Sequence, residues 1–523
     1  MIVKNIQETM ANLIAKGAAV MIILIIAALL FVRDHEWRLE LRYATWPNAL
    51  TMLFSLAAVL LIGIIFYKTV SSGDGEKKRF VLGVWCWAAV LFAVQAVIAR
   101  QIYFYTGWDA EIVYVIAHQL ATEGGSLSWY DYYYIYPNNV WLTAILMAVI
   151  RITIMMGFSE NIYYACILVG CALITLAGVL TVVTVKRIIK NKWAPIIAGG
   201  IYTIMGGLSP WMVVPYSDIY GIIFPILSFY FYTRLRTQET KYPWLCWAAV
   251  FASAMAGMKI KPTAAIVLIA IVIIEGIRFV SEKKISRKAL LGAAGGCAFA
   301  ILLNMGINNY AAYIPDGERS ITYTHYLMMG LNEETDGGYN QEDVDYTLQF
   351  ADQSERQEAN LYVAGERLKQ MGPFGYLQFL ARKTVYNFND GTFAWEGEGE
   401  FYRQVLPEEG SLSTFLRNIY YNHYKDGRGA YYPIYQKITQ ILWFAILIGM
   451  LGIWKKNEAY PWKSYQAVAF LTFIGIALFV SLFEARARYL FIYLPNFIIC
   501  SLLGIWNVSQ WAAARKRTRK PEN

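Results

Sequence analysis

FVLGVWCWAAVLFAVQAVIA, residues 80–99, carries no charge and is entered directly from Lys77-Lys78-Arg79. As α-helix a run of this length rises about 30 Å, the thickness of a bilayer's hydrocarbon core. Helix is the conformation to expect, because in hydrocarbon every backbone N–H and C=O must be satisfied within the segment. Similar runs recur along a chain that is 57% hydrophobic and 16% aromatic. The expected fold is an all-α polytopic membrane protein.

A formal charge of +9 invites a nucleic-acid reading, but the charges are not spread as a binding face would need. Lys and Arg cluster in short loops at 68–79, 186–192, 234–241, 278–288 and 455–463, and in the tail 515–520. The long polar segment 308–436 has the opposite balance, ten Lys/Arg against nineteen Asp/Glu. Basicity of this kind is a topology signal: basic loops stay cytoplasmic and the acidic segment lies outside. No nucleic-acid partner is expected.

Threading under that rule gives about twelve spans, near 14–32, 48–68, 80–100, 161–185, 194–209, 216–233, 242–258, 262–279, 289–307, 437–454, 465–482 and 488–507, with both termini inside. The apolar run 138–156 is long enough to cross, yet a crossing there would invert the basic loops that come after it. It is assigned to the outer side as a juxtamembrane or re-entrant helix, which suits Arg151 within it. The expected organisation is two extra N-terminal helices (1–79), a membrane core (80–307) with a large outer loop at 101–160, a mainly helical extracytoplasmic domain (308–436) and a C-terminal membrane part with a basic tail (437–523). The first run, 17–32, follows Lys4 and Lys16 and leads into Arg33-Asp34-His35-Glu36 without a small-residue cleavage site, so it reads as a retained helix. All six cysteines fall in apolar segments, which suggests neither a disulfide framework nor a thiolate metal site.

In this topology the span 80–100 delivers "GWDAEIVYVIAHQL" (107–120), with Asp109 and Glu111, to the outer headgroup level. The same depth receives Asp218 in "PYSDIYG", Lys259 and Lys261 in "GMKIKPT", and Glu484, Arg486 and Arg488 in "FEARARYL". Tyr136 and Asn138 in "YYYIYPNNVW" and His325 in "THYLMMG" are further candidates. Each also has a plainer reading: loop acids are commonly solvated, Lys259 and Lys261 fit interfacial lysines snorkelling to headgroups, and Glu484 with Arg488 has the i, i+4 spacing of a helix-surface pair. His325 fits a packed or surface histidine. Sugar transfer from a lipid phosphate would use the whole set. Cations would stabilise the leaving phosphate as the anomeric bond breaks, and a carboxylate would accept the acceptor's proton.

The acidic pair in "WDAEIVY", the aromatic-Pro segment "YYYIYPNNVW", the helix start "GFSENIYYA", the "SP…YSD" motif and the C-terminal "EARARYL" resemble the C-type glycosyltransferase superfamily. The likeness is to bacterial members akin to the protein mannosyltransferase and aminoarabinose transferase groups. It covers about residues 80–300 and 437–507. It implies that Asp109, and with it Glu111, is the catalytic acid set, with Asp109 as base, that the donor is a polyprenyl-phosphate sugar, and that the juxtamembrane helix belongs to the outer loop. The sequence departs from the family pattern in its two additional N-terminal helices, in the Asp-x-Glu spacing, and in Asn138-Asn139 where many members carry a second proline.

Within 308–436, "EDVDYTLQFADQSERQEANLYVAGERLKQMG" reads as helical and closes at Gly372-Pro373. "PFGYLQFLARKTVYNF" reads as an amphipathic surface helix and "NDGTFAWEGEGEFY" as turns. The acidic run in the last of these lacks calcium-loop spacing. No GxxxxGK[ST], strand-linked GxGxxG, HExxH or paired CxxC occurs. No cofactor is required with certainty; a divalent metal is compatible with the acids, though no ligand set is assigned. The expected function is transfer of a sugar from a polyprenyl-phosphate donor to an acceptor glycan, lipid or protein at the outer membrane face, with membrane lipids as surroundings. The alternative is a flippase or transporter of lipid-linked sugars, whose outer charges form a gate.

Overall fold

The computed structural model describes residues 2–32, 48–70, 77–284, 286–315, 318–398, 410–421, 429–454 and 463–518. Among them every regular element is helical. The polar run Arg33–Glu36 lies outside the described residues, as do 399–402 of the acidic turn, much of the basic loops 68–79 and 455–463, and the end of the tail.

Eleven described helices are long and apolar enough to cross a bilayer. This set differs from the twelve expected spans at four places. Pro137–Met155 qualifies by length, whereas 194–209 is a shorter apolar helix, Ala194–Gly207, whose last turn widens into π geometry from Thr203. The expected 216–233 divides into Ser217–Gly221 and Ile223–Arg236. Pro225 has no N–H to offer the Gly221 carbonyl one turn back, so the helix restarts. For the same reason Pro495 separates Arg488–Phe491 from Leu494–Thr518, and the last long helix starts later than 488.

Two helix pairs fix which ends lie together. Pro243–Ile260 and Arg287–Tyr310 run side by side in the same direction: a Cβ on Gly292 would sit 2.3 Å from the Trp244 carbonyl oxygen, and one on Gly296 2.4 Å from that of Ala248. Their basic starts therefore share one end of the bundle, and Ile260 and Tyr310 share the other. Against this pair the helix Val140–Met155 shows its course. The Trp141 indole N–H donates to Asn304 Oδ1 at 2.9 Å, and the Arg151 guanidinium lies 5.1 Å from the Tyr310 ring while donating to the Leu120 carbonyl at 3.2 Å. Both contacts fall on the last two turns of Arg287–Tyr310, so this helix stays at that end and does not run across toward Arg287. Length and apolarity suit it for crossing, while these contacts gather it against the Tyr310 end of its neighbour.

At the same end lies the segment after Tyr310, with helices Tyr323–Met329, Gln341–Leu348, Gln353–Phe388 and Ser411–Tyr420. Within Gln353–Phe388 the backbone leaves helical geometry at Gly372 (φ 59°, ψ 179°) and resumes at Pro373, so the expected stop is a break between two helical halves. The second half docks on the membrane helices: Asn387 Nδ2 donates to the Val480 carbonyl at 3.2 Å, and the Phe388 carbonyl accepts from the Trp443 indole at 2.7 Å. Some of the segment's acid is consumed internally. Asp343 accepts from both Nη atoms of Arg367, at 2.6 and 3.0 Å, and Asp336 accepts from Arg382 Nε at 2.8 Å. The turns after Asn389 are built on Asp390, which accepts the backbone N–H groups of Thr392 and Ala394 and the Thr392 hydroxyl.

Candidate functional site

The helix Asp109–Thr122 starts where Gly107 takes a positive φ of 70° and Trp108 is extended, leaving both acids in the first turn at the positive end of the helix dipole. The two carboxylates then diverge. Glu111 turns back and accepts the Gly107 N–H at 2.7 Å, the work of a helix cap. Asp109 faces the bundle, half-buried. Its Oδ2 lies 3.5 Å from the Tyr216 hydroxyl, which is 3.4 Å from Asn139 Oδ1; Asn139 Nδ2 in turn donates to the Tyr132 hydroxyl at 2.7 Å. Burial pushes the Asp109 carboxyl above the ordinary range, and the Tyr132 hydroxyl, the Arg488 charge and the Tyr216 hydroxyl only partly oppose it.

Across Tyr216 stands a cluster of three charges. Asp218 is 2% exposed and takes the Lys261 ammonium on Oδ1, while its Oδ2 lies 3.2 Å from Arg488 Nε. Lys261 and Arg488 are 7% and 8% exposed. The Arg488 guanidinium lies 4.4 Å from the Trp108 ring centroid and about equally far from Trp211 (5.5 Å) and Tyr216 (5.6 Å), and Trp108 meets Tyr216 edge to face at 5.0 Å. Arg488 is thus held by one carboxylate and three aromatic faces. Its Nη1 is buried without a hydrogen-bond partner among the described residues. A buried guanidinium N–H without an acceptor is costly, and an anion would supply one. Glu484, half-buried, has its carboxyl raised by burial against the opposing Tyr489 hydroxyl and the charges of Arg486, Arg488 and Lys261.

Of the candidates read from the sequence, the structure brings together Asp109, Asp218, Lys261, Glu484, Arg486 and Arg488, with Tyr136 beside them. The Tyr136 ring lies 5.1 Å from that of Tyr132, and burial and the Asp109 charge lift its phenol to about 12. Four expectations are corrected. Lys259 is exposed on the last turn of its helix, two residues from the buried Lys261, and stays out of the cluster. Glu111 serves its own helix start. Asn138 donates at 3.3 Å to Asn139, and it is Asn139 that reaches Tyr216. His325 is buried 2.7 Å from the Thr347 hydroxyl, and burial lowers its pKa to about 4, so it is a packed neutral histidine. Its neighbour Tyr326 feels the charges of Glu484 and Asp109 instead. The Glu484–Arg488 helix pair does not form, because 484–486 is not helical and Arg488 turns to Asp218.

Trp108, Asn139, Tyr132, Tyr216 and Trp211 were missed. Trp108, Asn139 and Tyr216 lie within two residues of one that was found, whereas Tyr132 and Trp211 lie further off, and aromatic or amide type alone does not separate a site wall from packing. Among the described residues no group of three His, Cys, Asp or Glu side chains converges as a cation site would need.

Helices of bilayer length, gathered around buried ion pairs at one end, define an integral, multi-pass all-α membrane protein. Residues 9–509 match the model of a family described as "Conserved hypothetical integral membrane protein", and the chain belongs to that family. No curated protein matches it.

Proposed function

We propose that the protein is a membrane glycosyltransferase that moves a sugar from a polyprenyl-phosphate donor to an acceptor at the end of the bundle where Asp109 lies, and that this end faces out of the cytoplasm. The observation that carries the reading is the juxtaposition of Asp109 and Arg488 across one tyrosine, a carboxylate with an elevated pKa beside a buried cation that has a donor to spare. A base with a raised pKa suits proton abstraction near neutral pH. Arg488, with Lys261 behind it, suits the charge that grows on a leaving phosphate. The orientation is supported by the opposite end of the bundle, where Lys68, Arg187, Arg234, Arg236 and Arg287 occupy helix termini.

The test is to incubate the purified protein in lipid vesicles with a panel of undecaprenyl-phosphate sugars and candidate acceptors. Donor-dependent glycosyl product that disappears in Asp109→Asn and Arg488→Ala supports transfer. Movement of the lipid-linked sugar between leaflets without product, across the panel, would replace the enzyme with a flippase.

A further inference from the structure

The extramembrane segment and the cationic limb of the site meet around a buried amine. Lys383, 1% exposed on the second half of Gln353–Phe388, donates to the Gly330 carbonyl at 2.5 Å and to the Phe483 carbonyl at 2.7 Å. These are the C-cap residues of two different helices, Tyr323–Met329 and Ser464–Leu482. One ammonium thus closes the negative ends of both, a position where cations are favoured. The approach is possible only because two glycines stand aside. A Cβ on Gly330 would lie 2.5 Å from the Phe483 carbonyl carbon, and one on Gly337, which has a φ of +76°, 2.8 Å from Lys383 Nζ. The Gly337 carbonyl then accepts the Ala485 N–H at 2.7 Å.

Both capped helix ends adjoin the site. Phe483 leads directly into Glu484, Arg486 and Arg488, and the helix ending at Gly330 carries Tyr326. We infer that Lys383 is a positioning residue: it joins the extramembrane segment to residues 483–488 and so sets the place of Arg488 and Glu484 in the site. The functional part of this inference rests on the proposed donor site; the joint itself does not. Burial brings the Lys383 ammonium down to about 7, with the Glu484 charge opposing. Glu484 is the acid whose charge reaches it from the 483–488 segment, and the Arg486 charge in turn acts on Glu484. From the Gly330–Gly338 turn, Asp336 and Glu333 are engaged by Arg382 on Lys383's own helix. The joint should therefore tighten as pH falls through about 7 and slacken above it.

The experiment is hydrogen exchange on the full chain in nanodiscs, with undecaprenyl phosphate binding measured on the same samples, for wild type, Lys383→Met and Gly330→Ala. Lys383→Met removes the donors at similar length, and Gly330→Ala forces the caps apart while leaving the lysine in place. Both should speed exchange at 484–489 and 331–338 by at least about tenfold, the least expected from losing hydrogen bonds to a charged donor. The helix Ile162–Ile188 should keep its wild-type rates, and undecaprenyl phosphate affinity should fall in both variants. Between about pH 6 and about pH 8.5, wild type should show extra loosening of 484–489 relative to reference amides elsewhere in the chain, and Lys383→Met should show none. Unchanged exchange at 484–489, a uniform rise over the whole molecule, or a pH response that survives in Lys383→Met would overturn the joint. Local loosening without any wild-type affinity for undecaprenyl phosphate would uphold the joint and overturn the functional reading.

Discussion

Replacing Asp218 with Asn keeps the shape of the side chain and removes the charge that Lys261 and Arg488 share. With exposures of 2%, 7% and 8%, the three groups are screened by little water. Breaking a buried pair from one side costs about 3–5 kcal/mol, because the partner charge stays behind. Here the cost should fall near the lower figure, about 3 kcal/mol, since one of the two cations can relax. Burial already lowers the Lys261 pKa and Asp218 pulls it back up, so without Asp218 the lysine gives up its proton more readily. Arg488 cannot.

The cost of the substitution also depends on pH. A lysine whose folded pKa is depressed destabilises the fold once the pH is below its unfolded value, and the penalty is complete below the folded value. Asp218→Asn deepens that depression, so its cost should be larger in mild acid than in mild alkali. Adding Lys261→Met to Asp218→Asn should recover about 2 kcal/mol, within the range of coupling for contacting residues. The assay is denaturant unfolding in mixed micelles at two pH values for the two single variants and the double. A loss below about 1 kcal/mol for Asp218→Asn, or a double variant no more stable than that single, would refute Asp218 as the shared counter-ion.

Asp109→Asn should lower glycosyl transfer by about 10²–10⁴, the share of a general base, without lowering stability at neutral pH, because burial already disfavours the charge there. In wild type the acid limb of the pH–rate profile should lie above the ordinary carboxylate range, with activity falling as pH drops and Asp109 takes up its proton; an unshifted limb would remove it as the base. Arg488→Ala should weaken binding of an undecaprenyl-phosphate sugar at least about tenfold, the worth of a charge-assisted contact, whereas Lys259→Ala should leave it unchanged. Equal effects of the two would return Lys259 to the site. A cysteine at the exposed Ser159 should react with an impermeant thiol reagent on intact cells, and one at the exposed Lys284 only after permeabilisation, once background from the exposed native Cys86 is subtracted. The opposite pattern would invert the proposed orientation.

The membrane class was legible in the sequence because apolar run length and the placement of Lys and Arg respond to the bilayer itself, a solvent that acts on each segment separately. For 138–156 the charge rule and the run length point different ways, and it is packing that gathers this helix against the Tyr310 end of Arg287–Tyr310. Local chemistry also marked helix ends, as Gly372-Pro373 and the acids of 109–111 show. What the chain could not reveal in one dimension was direction within a turn. Asp109 and Glu111 are two residues apart, as are Lys259 and Lys261, yet in each pair one side chain enters the cluster and the other leaves it. For the two acids, which share a helical turn, about 100° per residue carries a side chain two positions on to the far side; Lys261 instead is the extended residue just past the helix that carries Lys259. Tertiary packing chose which member was buried, drew Arg488 away from Glu484 to an aspartate 270 positions earlier, and set Lys383 between two helix ends distant in sequence. Those choices depend on which helices lie together, and a buried charge takes whichever partner that packing leaves within reach.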